Sequence, residues 1–398
     1  MNPDRKLNFP ERVLLTLQGN KPDRIPFISR MDFWFRGLNI QDKIPEPYRG
    51  LNLSEVHQAI GFGREDWYCP CAYKYKKMEL ILYFEGQEIL HEYEPEISYF
   101  PDLWEKVPID RAGETTTEMI TPVGKLVFKH RILEESIRSG TTRPQMIEHP
   151  IRTPDDFQIY EYIIEHSEFV PYFDMFFGRA KELKNLGYLV PLLNRVPFQS
   201  LLIEAVGEIP FFYALNDTPQ LIDRLLKIVD HQIVDMLEHL SEFPVPYVEF
   251  GDNLECSMTN PRLFQKYLIP TYQRYSEILH RQGKKLGSHT DGNLKKLVTL
   301  LPESGLDVCE SFTPAPITEC TFEEAWAAWD KGPLIWGGIP SYYLETRVPE
   351  EEFQKHIETL LELIRGRPII LGIGDAVMSN NEIERVRWIA RRVEELEI

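Results

Sequence analysis

The sequence predicts one α/β domain built as a (β/α)8 TIM barrel, and three observations carry that prediction. After Pro150, helices alternate strictly with short apolar runs of strand length. No G-x-G-x-x-G follows the first strand, which argues against a doubly wound dinucleotide fold. The strand runs end in polar residues, often beside glycine, as the C-terminal mouth of a barrel requires.

The elements follow in order. Val13, Leu14 and Leu17 share one face of an opening helix, and Ile25 to Arg30 is a short apolar strand. Residues 45–75 are rich in proline, glycine and aromatics, and 78–93 and 115–131 carry β-type patterns. Thr121 to Gly124 reads as a turn between strands Thr115–Ile120 and Lys125–Phe128. Residues 40–145 are therefore expected as an insertion of hairpins and loops within a single domain spanning 1–398. Helix 171–185 leads to a strand from Tyr188, and helices 200–206 and 218–240 lead to one from Tyr247. Helix 261–282 precedes the strand ending at His289, and helix 293–302 precedes the strand ending at Glu310. Helix 322–330 leads to Leu334–Trp336, and helix 350–365 leads to Ile369–Gly374. Asn381 with Glu384 reads as the capping box of a last helix.

Composition narrows the function classes. Lys and Arg total 44 against 62 Asp and Glu, a formal charge of −18. This excess disfavours nucleic acid and anionic membranes as partners. No run of apolar residues reaches membrane-spanning length, and the charged opening residues do not resemble a secretory signal. Five cysteines are too few and too scattered for a disulfide framework, so a reducing cytoplasm is expected. Cys69 and Cys71 form a C-x-C without a second pair, which does not make a zinc ribbon. A G-x-S-x-G elbow, a P-loop and an H-E-x-x-H are all absent from the sequence.

Residues just after barrel strands face the mouth, so the candidates are read there. They are Asn194, Arg195, Glu249, Asp252, Asn253, His289, Asp291, Glu310 and Asp375. Asp252 and Asn253 could equally cap the next helix. Many acids with one imidazole suit proton transfer or a metal. His289, Glu310, Asp252 and Asp375 are the expected catalytic groups. Asn194, Arg195, Glu249 and Asn253 are expected to bind substrate, with Trp336, Phe33 and Trp34 as aromatic walls. Cys309 alternates with Glu310 and should face the helices.

The opening run from Glu11 to Phe27, and Gly287-Ser-His-Thr-Asp-Gly-Asn-Leu294, resemble the uroporphyrinogen decarboxylase superfamily. The order of elements through 306–396 is similar too. The resemblance implies a (β/α)8 barrel with an added β-hairpin insertion. It divides into two branches. The decarboxylases would imply R-Q-A-G-R-Y after the first strand, whereas this chain has Ser29-Arg-Met-Asp-Phe-Trp-Phe-Arg36, which keeps only Arg30. The corrinoid-dependent methyltransferases would imply zinc held by H-x-C-G and a later cysteine. Here His289 matches the histidine, Asp291 stands at the cysteine, and the later cysteine falls near Ile373.

The resemblance therefore implies a corrinoid-dependent methyltransfer in which thiol activation is replaced. The expected reaction moves a methyl group from an aryl methyl ether, or a similar small-molecule methyl donor, to a corrinoid carrier protein. An acid or Lewis acid would assist the leaving oxygen, with zinc on His289 and Asp291 as the metal option. The corrinoid would come on the partner, because no D-x-H-x-x-G motif is present. A decarboxylase or lyase, and a non-catalytic binding scaffold, are the alternatives.

Overall fold

A computed structural model describes residues 6–141, 143–330 and 332–396. The first five residues, which belong to the charged opening, lie outside them. The eight barrel strands are β1 (Ile28–Ser29), β2 (Gly63–Tyr68), β3 (Gly187–Leu193), β4 (Tyr247–Phe250), β5 (Lys285–His289), β6 (Val308–Phe312), β7 (Leu334–Ile339) and β8 (Ile370–Ile373). They pair in parallel in that order. A parallel bridge between Phe27 and Leu371 closes the ring, with the Leu371 N–H donating to Pro26 O at 2.9 Å. This is the expected TIM barrel.

The strands are apolar because most are covered on both faces. β3 and β8 are buried at every residue. Inside the lower barrel, Ile28, Val190, Val308 and Ile370 pack around Tyr188, Tyr247 and Trp336. The helix Phe9–Leu17 is fixed at its start by a capping box between Asn8 and Glu11, and its Val13 and Leu17 join this lower layer. The apolar layer is the floor on which the polar site stands.

Several expected boundaries change. β2 lies inside residues 40–145, so that stretch is not wholly an insertion. Its Arg64-Glu-Asp-Trp core is charged and hides a strand that pairs with both β1 and β3. The added layer begins after β2. One sheet orders strands 87–93, 79–84, 113–121, 124–132 and 145–148, all antiparallel. The expected turn at 121–124 joins two of them. A smaller sheet sets Ser167–Pro171 and Glu96–Ile97 on either side of Cys71–Tyr75.

The expected helix 293–302 is a series of turns with one 3₁₀ turn at Leu301–Glu303. The last helix begins at Ile383, and Asn381 does not cap it. The Asn381 side chain accepts from Met378 N–H at 2.8 Å, and Glu384 accepts from the Tyr48 hydroxyl at 2.8 Å. Among the described residues, no helix is long and apolar enough to cross a membrane.

Candidate active site

Alternation along each strand decides which side chains enter the barrel. On β2, Glu65 and Trp67 point inward; on β4, Tyr247 and Glu249; on β5, His289; on β6, Glu310. The Tyr247 hydroxyl, at the top of the apolar layer, donates to Glu249 Oε2 at 2.6 Å. The indole N–H of Trp67 donates to Glu65 Oε1 at 2.9 Å. Trp67 also meets the His289 ring edge-on, with centroids 5.1 Å apart.

His289 is the hub. Its Nδ1 lies 2.6 Å from Glu310 Oε2, and its Nε2 lies 3.6 Å from Asp291 Oδ2. Burial works against a charged imidazole, but the charges of Asp291 and Glu310 outweigh it and hold the pKa well above the ordinary value. Asp291 is correspondingly lowered against its own burial, by His289. The remaining acids behave in the opposite way. Burial, then the charge of Glu310, pushes Glu65 and Glu249 well above the usual carboxylate range. The cluster thus favours the protonated form of both acids and of the imidazole. Glu249 Oε1 is buried with no hydrogen-bond partner among the described residues.

Asp375 follows β8 in a left-handed backbone conformation, φ 60°. Its N–H donates to Ser311 Oγ at 2.6 Å, and Ser311 sits at a register shift in β6, also left-handed at φ 58°. Such strained strand ends gather at sites where a side chain must be aimed. Asp375 lies 3.6 Å from Arg30, whose Nε lies 3.4 Å from Asp32. The Arg30 guanidinium stacks 3.8 Å from the Trp67 ring centroid and 4.8 Å from that of Phe33.

Other expected site residues are placed elsewhere. Asp252 does not face the mouth. It is wholly buried and accepts from Val196 N–H, the Tyr272 hydroxyl and the Ser288 hydroxyl at 2.7–2.9 Å. Ser288 alternates with His289, so Asp252 sits behind the barrel wall. Trp336 belongs to the lower apolar layer beside Tyr188 and Tyr247, not to a substrate wall. Trp34 is core, with its indole N–H donating to Asn381 O at 3.2 Å. Asn194 turns to the added layer and donates to Phe100 O at 2.6 Å.

Arg195 is a strut. It donates to Glu204 at 2.9 Å, to Asn253 Oδ1 at 2.8 Å and to the Gly251 carbonyl. Asn253 in turn donates to both Asp291 oxygens at 2.9 and 3.0 Å, so it orients a site residue and its expected role as a direct substrate contact is not what the geometry shows. His289, Glu310, Glu249, Asp291 and Asp375 lie together, and Phe33 meets them through Arg30. Cys309 is buried, and burial raises its thiol pKa, as suits a helix-facing side chain.

Sequence reasoning missed Glu65 and Trp67, and left Arg30 without a role. The available signal was the two-residue spacing of Glu65 and Trp67 beside a parallel partner.

Two sets of donor atoms could hold a cation. Glu249, His289 and Glu310 present one donor each within 4.8 Å of one another, as do His289, Asp291 and Asp375. One imidazole with carboxylates fits zinc, without the thiolates that would favour a softer ion. The second set leaves Nδ1 on Glu310, the carboxylate–histidine arrangement that orients metal-bound imidazoles.

Comparison with known proteins adds three findings. The profile of the family described as uroporphyrinogen decarboxylase (URO-D) matches residues 138–396. A solved methyltransferase from Methanosarcina mazei aligns with TM-score 0.58 over 98% of this chain and 99% of its own, at 12% identity. At that identity the likeness shows the fold. No curated protein matches the chain.

Proposed function

Because the chain belongs to the uroporphyrinogen decarboxylase family, we propose that it is a methyltransferase of the acid-assisted kind, moving a methyl group from an aryl methyl ether to a corrinoid carrier protein. The observation that carries the reading is the convergence of Glu249, His289 and Glu310, whose donor atoms lie within 4.8 Å of one another, in a setting that favours the protonated forms of His289, Glu65 and Glu249. An aryl ether has a poor leaving group unless its oxygen gains a proton or meets a Lewis acid. These residues hold protons where that need arises.

The corrinoid, brought by the partner, supplies the nucleophile that takes the methyl carbon. The carbon–oxygen bond breaks, the methyl group leaves with no bonding electrons, and the oxygen keeps the pair. A proton from the His289 and Glu310 pair, refilled by Glu65 or Glu249, neutralises that oxygen and gives a phenol. Trp67 and Phe33 give the ring flat apolar neighbours. Zinc, held by His289, Asp291 and Asp375, would supply the same assistance by polarising the ether oxygen. The methyltransferase fold of the Methanosarcina mazei protein supports the reading. Decarboxylation of a polyacidic substrate is disfavoured, since the charges of Asp291 and Glu310 would repel it.

The test is spectroscopic. Mixing the protein with a reduced corrinoid carrier and a methoxylated phenol should give the absorbance change of corrinoid methylation. No change across a panel of methyl donors would sink the proposal.

A further inference from the structure

We infer that the site selects donors whose ring carries no carboxylate, because Asp32 and Asp375 already engage Arg30, the guanidinium stacked on Trp67 beside the acid cluster. The inference deepens the aryl ether reading and rests on it.

Arg30 is enclosed by two carboxylates and two rings. Its edges meet Asp32 at 3.4 Å and Asp375 at 3.6 Å, and its faces meet the rings of Trp67 and Phe33. Only 11% of its side chain is exposed. The neighbouring cations are engaged as well. Arg36 donates to Gly140 O at 2.6 Å and lies 3.4 Å from Asp32. Arg195 is held by Glu204, Gly251 and Asn253. Among the described residues these cations are all engaged, so a carboxylate bound over His289 lies close to Asp291 and Asp375. Placing like charges together lowers affinity. A neutral ring meets no such penalty.

Asp375 is held for this task. Ser311 fixes its backbone N–H, and its left-handed conformation turns the carboxylate toward Arg30. Asp32, on the helix that follows β1, supplies the second clamp and belongs to neither set of metal donors. The two aspartates are therefore specificity-determining residues that mask a charge a benzoate would otherwise use.

The experiment is calorimetric titration of the full chain with 4-methoxybenzamide and 4-methoxybenzoate, which share size and shape but differ in charge. The neutral amide should bind at least about tenfold more tightly than the acid. Asp32→Asn and Asp375→Asn should each narrow that ratio by freeing Arg30, and the double variant should narrow it most. Equal or tighter binding of the benzoate by the unaltered protein overturns the inference and leaves the aryl ether reading standing. A ratio unchanged in both folded variants also overturns it. Binding of neither compound overturns the aryl ether reading together with this inference. Comparing the two compounds on the unaltered protein decides the matter even if a variant fails to fold.

Discussion

His289 Nδ1 and Glu310 Oε2 stand 2.6 Å apart in the buried interior of the barrel mouth, while the opposite nitrogen of the same ring faces Asp291. One imidazole is thus gripped between two carboxylates on separate chain segments. That grip fixes ring orientation and charge together, which a proton donor needs. Replacing His289 by Ala, or Glu310 by Gln, should lower the methyl-transfer rate by about 10²–10⁴-fold. Single-turnover spectroscopy of corrinoid methylation checks this, and a loss below about threefold in both variants would remove the pair from the chemistry.

Asp252 should give a different phenotype from His289, although both lie at strand ends. Asp252 takes three hydrogen bonds in a site with no exposure. Asp252→Ala strands the Val196 N–H and the Tyr272 and Ser288 hydroxyls, at a cost of about 3 kcal/mol or more. Urea unfolding should show the loss. The rate at saturating substrate, measured below the unfolding transition, should move less than about tenfold, because no Asp252 hydrogen bond reaches the acid cluster.

The contrast between Asp252 and His289 also marks how far the sequence could be read. Strand-end position was legible for both, since apolar runs stop at them, but inward or outward direction depends on pleat register. Ser288 and His289 differ by one residue and face opposite ways. β2 was hidden for a related reason. Its inward Glu65 and Trp67 belong to a polar layer, so the strand lacks the apolar run that revealed β3 and β8. Residues 293–302 show the reverse error. Leu294, Leu297 and Leu301 have helical spacing and are buried, yet the backbone makes turns. Burial set that spacing, and tertiary packing overrode the helix. The closed ring of β/α units was legible because it repeats and no single element decides it.

Glu249 should make stability depend on pH in a stated direction. Burial, then Glu310, raises its pKa well above 4.5 in the folded chain. The folded state therefore holds a proton that the unfolded chain releases, so νU is below νN and stability falls as pH rises. The contribution is fully present below about pH 4.5, the ordinary value, and is lost as pH climbs through the raised folded value. Glu249→Gln removes this dependence. The variant should melt at a higher temperature than the unaltered protein at pH 8, and the difference should disappear at pH 4. Scanning calorimetry at the two pH values tests it, and a variant that melts lower at pH 8 would show that the Glu249 charge is compensated.

Zinc binding separates the two donor sets. Holding the ion through Nδ1 with Glu249 and Glu310 would break the 2.6 Å contact between His289 and Glu310. Holding it through Nε2 with Asp291 and Asp375 keeps that contact as the hydrogen bond that orients the ring. The second arrangement costs less reorganisation, so Asp291→Asn should weaken zinc binding more than Glu249→Gln. Zinc at about 100 times its Kd should add about 2.7 kcal/mol to the stability of the unaltered protein. Affinity should fall as pH drops, because the ion must displace the His289 proton, which Asp291 and Glu310 hold so firmly. Thermal shift titrations of the unaltered protein, Asp291→Asn, Glu249→Gln and His289→Ala read all of this. A shift lost in Glu249→Gln but kept in Asp291→Asn would place the ion on the other side of the ring. A shift of equal size in His289→Ala would remove zinc from the site.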